Sequence, residues 1–233
     1  MDSKLLKTAI MKSLPVMAGY VVLGMGFGIL LKVNGYGILW ALAMSVFIFA
    51  GSMQFVGISL ITGGASLLST ALTTLMVNAR HLFYGISMIQ KYKGAGLKKI
   101  YLMLSLTDET YSLVCTGDYP EGTDPHQYYF LVSLCNHIYW VAGSVLGSLI
   151  GSVLPFNTAG IDFAMTALFV TVFTEQWITT KEHRPALIGA GASVVCVLLF
   201  GRENFLIPAM IAITVLLTAC RSILEQGGTA NEQ

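Results

Sequence analysis

Charge is scarce in this chain of 233 residues: Asp, Glu, Lys and Arg together make up 11% of it, against roughly 25% in ordinary soluble domains. The few charges are also clustered. From Ser13 to Ala79 the single charge is Lys32, and from Gln127 to Thr180 the charges are Asp162 and Glu175 alone. A membrane-spanning helix needs about 20 mostly apolar residues, and each of these stretches is long enough for several. A soluble globular enzyme is excluded on this ground. The net charge of +1 gives no nucleic-acid footprint. The four cysteines, Cys115, Cys135, Cys196 and Cys220, have no metal-ligand spacing and imply no disulfide framework. No metal or cofactor motif is present. Ser52 is not followed by the glycine of a nucleophile elbow, and neither H-E-x-x-H nor a phosphate-cradling loop occurs.

What the sequence does have is apolar runs, which read as an all-α, polytopic helical membrane protein of about seven spans, six to eight. The expected spans are Leu14–Leu31, Gly37–Ile61, Ala65–Gln90, Ile100–Cys115, Tyr128–Leu154, Ile161–Thr179, Pro185–Phe200 and Phe205–Ala219. Residues 1–12 form a basic N-terminus expected on the cytoplasmic side, 13–222 a single transmembrane domain, and 223–233 a disordered polar tail. The basic start resembles a signal peptide, but the apolar run continues past Leu31 without a small-residue cleavage site and reads as a retained first span.

Lysine placement sets a puzzle. Lys4, Lys7 and Lys12 ask for an inside N-terminus, and Lys91, Lys93, Lys98 and Lys99 ask for the same side. Three full spans between them would place the second group outside. Either one of those three is broken or re-entrant, or the positive-inside rule fails here; the polar interruptions favour the first solution.

The second span is interrupted by Phe49-Ala50-Gly51-Ser52-Met53-Gln54-Phe55. Non-helical backbone survives at membrane depth only where protein or a watery cavity covers it. The third carries Asn78-Ala79-Arg80-His81-Leu82-Phe83-Tyr84-Gly85 and the fourth Thr107-Asp108-Glu109-Thr110-Tyr111. An arginine at membrane depth costs about 2.5 kcal/mol or more, so Arg80 is expected to face a partner or water; the plain alternative puts Arg80 and His81 at a membrane surface. Adjacent carboxylates diverge by about 100° on a helix, so Asp108 and Glu109 cannot share one environment, and one of them can pair with Arg80; the alternative is a polar helix end. Asp162, after Gly160, reads as a helix cap or as a coupling carboxylate. Gly143, Gly147 and Gly151 form overlapping G-x-x-x-G steps, whose default meaning is close helix packing. Pro15 and Pro208 read as helix-start punctuation.

In this order and spacing the motifs resemble the AzlC family, the large subunit of bacterial branched-chain amino acid exporters, from about Pro15 to Arg221. Gly26-Phe27-Gly28, Gly160-Ile161-Asp162-Phe163-Ala164 and Ala167-Leu168-Phe169 also carry the likeness, which is loosest beyond Trp177. The resemblance implies a secondary exporter of leucine, isoleucine, valine and related amino acids in the bacterial plasma (inner) membrane, working with a small AzlD-like membrane subunit. It supplies no substrate-binding residues, so these are read from the chemistry.

A zwitterion needs donors for its carboxylate and acceptors for its ammonium. Gly51, Ser52, Gln54, Asn78 and Arg80 are candidates for the carboxylate, Asp108 and Glu109 for the ammonium, and Tyr111 lies beside them. Candidates for a coupled proton are Asp108, Glu109, His81 and Asp162. Met44, Phe49, Met53 and Phe55 supply an adaptable apolar wall. A channel or importer for small zwitterions, or a non-transporting assembly subunit, are the other readings the sequence leaves open.

Overall fold

The computed structural model describes residues 3–115, 117, 119–120, 122–153, 166–167, 170, 173–174, 177–178 and 183–220. The expected span Ile161–Thr179 with Asp162, and the polar tail, lie outside these residues or nearly so. Among the described residues all regular structure is helical. The first unit, residues 1–165, contains α1 (Ser3–Val33), α2 (Ile38–Phe47), α3 (Gly51–Thr62), α4 (Leu67–Val77), α5 (Ala79–Met88), α6 (Lys98–Leu104), α7 (Asp108–Val114) and α8 (Pro125–Val153). The second unit contains α9 (Arg184–Asn204) and α10 (Leu206–Ala219), which pack on each other. Gly201, at φ +75°, kinks α9 near its end.

Helices α1 and α8 are each long and apolar enough to cross a membrane, and they run parallel in close contact. Their levels match residue by residue: Tyr20 lies edge-on to Trp140 at 5.5 Å, Gly24 faces Ser144, and Gly28 faces Ser148. A Cβ added to Gly143 would sit 2.7 Å from the Val21 carbonyl oxygen, and one on Gly28 would sit 2.6 Å from the Ser148 nitrogen. Backbone touches backbone here, which is what the G-x-x-x-G spacing allows. Pro15 differs from expectation. It lies inside α1, which begins more than three turns earlier at Ser3; a membrane helix tolerates such a proline where neighbours cover the freed carbonyl.

The expected spans two and three are each a pair of helices of 10 to 12 residues, and span four a pair of 7 residues each. Ten residues of helix rise about 15 Å, half of the roughly 30 Å hydrocarbon depth. From the far end of α1, where Tyr36 meets Trp40 at 5.3 Å, α2 climbs back until Phe49 reaches the level of Tyr20. There the chain turns. Helix α3 returns, so that Phe55 meets Phe27 at 5.7 Å, and the Met44 methyl comes within 3.4 Å of a Cβ placed on Gly57. Residues 13 apart could not approach in a continuous helix. The segment expected as a second span is therefore a re-entrant hairpin.

Helix α4, capped by the Ser66 hydroxyl accepting from the Ser69 N–H at 3.2 Å, runs to mid-depth and breaks at Asn78 (φ −94°, ψ 6°). Helix α5 carries the chain on to the end where α1 begins, and Met88, Tyr92 and Ala95 share a buried cluster with Leu5 and Ala9. The segment α6–α7 then repeats the hairpin from this opposite end. Tyr101 of α6 packs on Phe130 at 5.4 Å. After the turn at residues 105–107, α7 descends beside α5: Tyr111 stacks on Tyr84 at 4.6 Å, and the Lys91 ammonium donates to the Cys115 carbonyl. The expected fourth span is thus a second re-entrant hairpin, pointing the other way.

This topology removes the lysine conflict. With α2–α3 re-entrant and α4–α5 crossing, Lys91, Lys93, Lys98 and Lys99 lie at the same end of the unit as Lys4 and Lys7. Two outcomes follow. Single cysteines replacing Lys7 and Lys93 should react with a membrane-impermeant thiol reagent from one and the same side. Gly147→Leu should prevent α1–α8 docking and abolish the monodisperse peak in detergent chromatography, whereas Gly26→Ala, with nothing within 4 Å of its Cβ, should leave it intact.

Candidate functional site

The two hairpin tips and the break in α4–α5 meet at the level of Tyr20 and Trp140. At the first tip Phe49 holds φ +41°, a region that a bulky side chain occupies only when its surroundings enforce it. The enforcement is visible: Phe49 stacks on His137 at 4.1 Å and meets Tyr20 edge-on at 6.4 Å. Gly51 lets the tip close on the indole, since a Cβ there would lie 2.9 Å from Trp140 Cη2. Gln54 is fully buried and fastens the hairpin. Its amide NH2 donates to Ser45 Oγ at 3.2 Å, and its carbonyl accepts from Trp140 Nε1 at 2.8 Å. Both of its ends are engaged by the scaffold, so Gln54 shapes the site from behind.

Arg80, in the first turn of α5, bridges the two tips. It forms an ion pair with Asp108 of the second hairpin and donates from Nη2 to Ser52 Oγ of the first at 3.1 Å. The pair is one-third exposed, at 33% and 31%. At mid-depth such exposure fits a watery or protein-covered face and not lipid. Arg80 Nε and Asp108 Oδ1 are buried without a hydrogen-bond partner, as is Asn78 Oδ1 beside them. Helices α3 and α5 both begin here, and the first N–H groups of a helix lack partners within it and favour anions.

Glu109 faces elsewhere. Its Oε2 accepts from the Tyr20 hydroxyl at 2.7 Å, and no cation lies within ion-pair distance of it among the described residues. Tyr20 is also 2.6 Å from the Thr107 hydroxyl, which caps α7 by accepting from the Thr110 N–H at 3.2 Å. Thr107 and Thr110 hydroxyls are linked at 3.0 Å, and the Asn136 amide donates to Thr110 at 3.0 Å. The divergence expected of two adjacent carboxylates is realised, with Asp108 on arginine and Glu109 on a tyrosine hydroxyl. His81 lies at the Asn78 break, its Nδ1 3.2 Å from the Asn78 carbonyl. Tyr111 stacks on Tyr84 and accepts from Ser87 at 3.2 Å. Asp162 lies outside the described residues.

The geometry brings Ser52, Asn78, Arg80 and Asp108 together and sets Glu109 against α1. Comparison with known proteins adds the family. The AzlC protein family model matches residues 15–154. The branched-chain amino acid transport protein AzlC of Bacillus subtilis is 46% identical over 94% of this chain and 87% of its own length. The chain belongs to the AzlC family. An uncharacterized membrane protein of Haemophilus influenzae is 44% identical over 91% of this chain and 88% of its own. The inner membrane protein YgaZ of Escherichia coli is 28% identical over 78% of both. No solved structure matches. Family membership and the long apolar helices make this AzlC-family chain a multi-pass protein of the inner membrane.

Tyr20, Asn136 and Trp140 had no expected role in the site, and Thr107 was expected only as part of the Thr107–Tyr111 motif. Tyr20 stands in a glycine-rich apolar run, and Asn136-His137 are the polar pair in an otherwise apolar span. Unpaired polar residues in apolar stretches were the signal available.

The ion pair can be tested as a unit. Arg80→Met or Asp108→Leu alone leaves one charge without its partner at mid-depth, and each should reduce the yield of folded protein several-fold. The double variant Arg80→Met/Asp108→Leu should recover folding, read by thermal melting in detergent, while remaining inactive in transport.

Proposed function

We propose that this chain is the transporting subunit of an exporter that moves branched-chain amino acids out of the cell, binding the substrate zwitterion across Arg80 and Asp108. The observation that carries this reading is an arginine–carboxylate pair at the meeting point of two opposed re-entrant hairpins, in a chain 46% identical to a branched-chain amino acid transport protein. An ion pair suits a zwitterion. In the empty site the two charges neutralise each other; when the substrate enters, its carboxylate meets the guanidinium and Ser52, and its ammonium meets Asp108. Charge stays balanced in both states, which limits the cost of ions at mid-depth. Arg80 Nε and Asp108 Oδ1 hold the unused hydrogen-bonding capacity that such a ligand would take up.

The side chain of the substrate would pack on Met53, Phe49 and Phe55, which border Ser52 in the first hairpin and are buried among apolar neighbours. Flexible and aromatic surfaces accept leucine, isoleucine and valine alike. Selection against charged side chains follows from the absence of any charged residue on that hairpin.

Opposed hairpins suit alternating access. Each tip is anchored from a different end, so displacement of one opens the site to one side while the other stays closed. The lysine-rich end is cytoplasmic by the positive-inside rule, and export is the passage from that end to the other. A small AzlD-like membrane subunit completes the exporter in this reading, and a proton gradient drives it.

Efflux of leucine, isoleucine and valine from cells preloaded with the corresponding dipeptides is the direct test. Expression of this chain with its small partner should speed release at least several-fold, and an uncoupler should remove the gain. Unchanged release of all three amino acids, with both proteins present in the membrane, would refute the proposal; accelerated release indifferent to the uncoupler would make the chain a passive channel.

A further inference from the structure

Two carboxylates sit side by side at the start of α7, and their surroundings divide the labour between them. Asp108 is held by the Arg80 guanidinium. Losing that partner would leave Arg80 as an unpaired charge at mid-depth. Glu109 has no such tie. The groups facing it are the Tyr20 hydroxyl of α1, its neighbour Asp108, and Arg80 and His81 of α5, with Arg80 engaged by Asp108 and Ser52.

The hydroxyl chain behind Glu109 fits either charge state. With Glu109 ionised, Tyr20 donates to it at 2.7 Å, and Thr107 donates to Tyr20 or to Thr110. With Glu109 protonated, the acid donates to Tyr20, Tyr20 to Thr107 and Thr107 to Thr110, across the same 2.6 Å and 3.0 Å contacts. Glu109, Tyr20 and Thr107 each have an acceptor for the hydrogen they carry in both arrangements, and only hydroxyl hydrogens rotate. Tyr20, Thr107 and Thr110 are buried, so water does not replace a lost bond. A carboxylate with a reversible hydrogen-bond partner and no ion pair of its own is suited to gaining and losing a proton. One tied to an arginine is not.

Resting on the transport reading above, we propose that Glu109, positioned by Tyr20, carries the proton coupled to substrate movement, while Asp108 remains with Arg80 and the substrate ammonium. In the empty site Arg80 and Asp108 cancel, and a protonated Glu109 makes the cluster neutral. An ammonium arriving at Asp108 brings a positive charge beside its neighbour, and the proton leaves Glu109 for water. One proton is released as one zwitterion binds, and it is regained on the other side after the zwitterion departs. The cycle therefore exchanges one proton for one amino acid and moves one positive charge.

Everted vesicles from cells making the full chain and its small partner test this directly. With the lumen acidified by respiration, added leucine should discharge the proton gradient, read by recovery of a quenched pH dye. The same vesicles should exchange internal for labelled external leucine. Glu109→Gln should cut the dye recovery at least tenfold while leucine exchange persists. Tyr20→Phe keeps the ring and removes the donor to the ionised form, so the pH midpoint of leucine-driven recovery should move up by about one unit. Dye recovery in Glu109→Gln equal to wild type would overturn the proposal, as would an unmoved midpoint in Tyr20→Phe should Glu109→Gln fail to insert. Wild-type exchange without any dye recovery would also overturn it and leave the transport reading standing. Neither signal with any amino acid would sink the transport reading itself.

Discussion

The polar centre of this protein depends on the close approach of α1 to α8. Interrupted helices leave backbone N–H and C=O groups unpaired, and at membrane depth those groups survive only where protein or water covers them. Three interruptions, at residues 48–50, at Asn78 and at 105–107, fall at one level. Their backing is the joint surface of two parallel helices whose glycines let the backbones touch. Tyr20 and Trp140 project from that surface at the right height. Trp140 holds the first hairpin through Gln54 and the face of Gly51, and Tyr20 holds the second through Thr107 and Glu109. A side chain at Gly28 or Gly147 would separate the helices and remove both anchors at once.

Around that support the architecture is an alternation. A crossing helix followed by a hairpin occurs first as α1 with α2–α3, then in the opposite sense as α4–α5 with α6–α7. The two tips approach from opposite ends and are both held by Arg80, which reaches Ser52 on one and Asp108 on the other. Movement of either hairpin must therefore break or remake contacts of Arg80. In the proposed exporter a ligand bearing both charges would compete for those contacts, which would link binding to rearrangement.

Much of this was legible beforehand. Helical class and membrane location follow from charge scarcity and run length. The interruptions were visible in Gly51-Ser52, Asn78-Ala79-Arg80 and Thr107-Asp108-Glu109, since polar residues in apolar runs violate the composition of a span. The matching lysines at the two ends of residues 4–99 favoured the loss of one crossing, and the re-entrant α2–α3 hairpin is that loss. Less legible was which expected spans turn back. A hairpin of two half-length helices has the same composition as one full-length helix, and Ile100–Cys115 carries no glycine or proline to mark its turn.

The sequence by itself determined that this chain enters a membrane as helices, that polar residues interrupt its apolar runs, and that Arg80, Asp108 and Glu109 are among those polar residues. Hydrophobicity, helix rise and the cost of ions in lipid act locally and can be read one segment at a time. Only the tertiary structure decided that the breaks coincide, that Asp108 and not Glu109 takes Arg80, and that Tyr20 and Trp140 stand behind the tips. Those facts depend on the directions in which distant segments meet. The adjacent carboxylates differ in partner because α7 lies between α5 and α1, an arrangement set by packing across more than eighty residues of chain, from Tyr20 to Glu109.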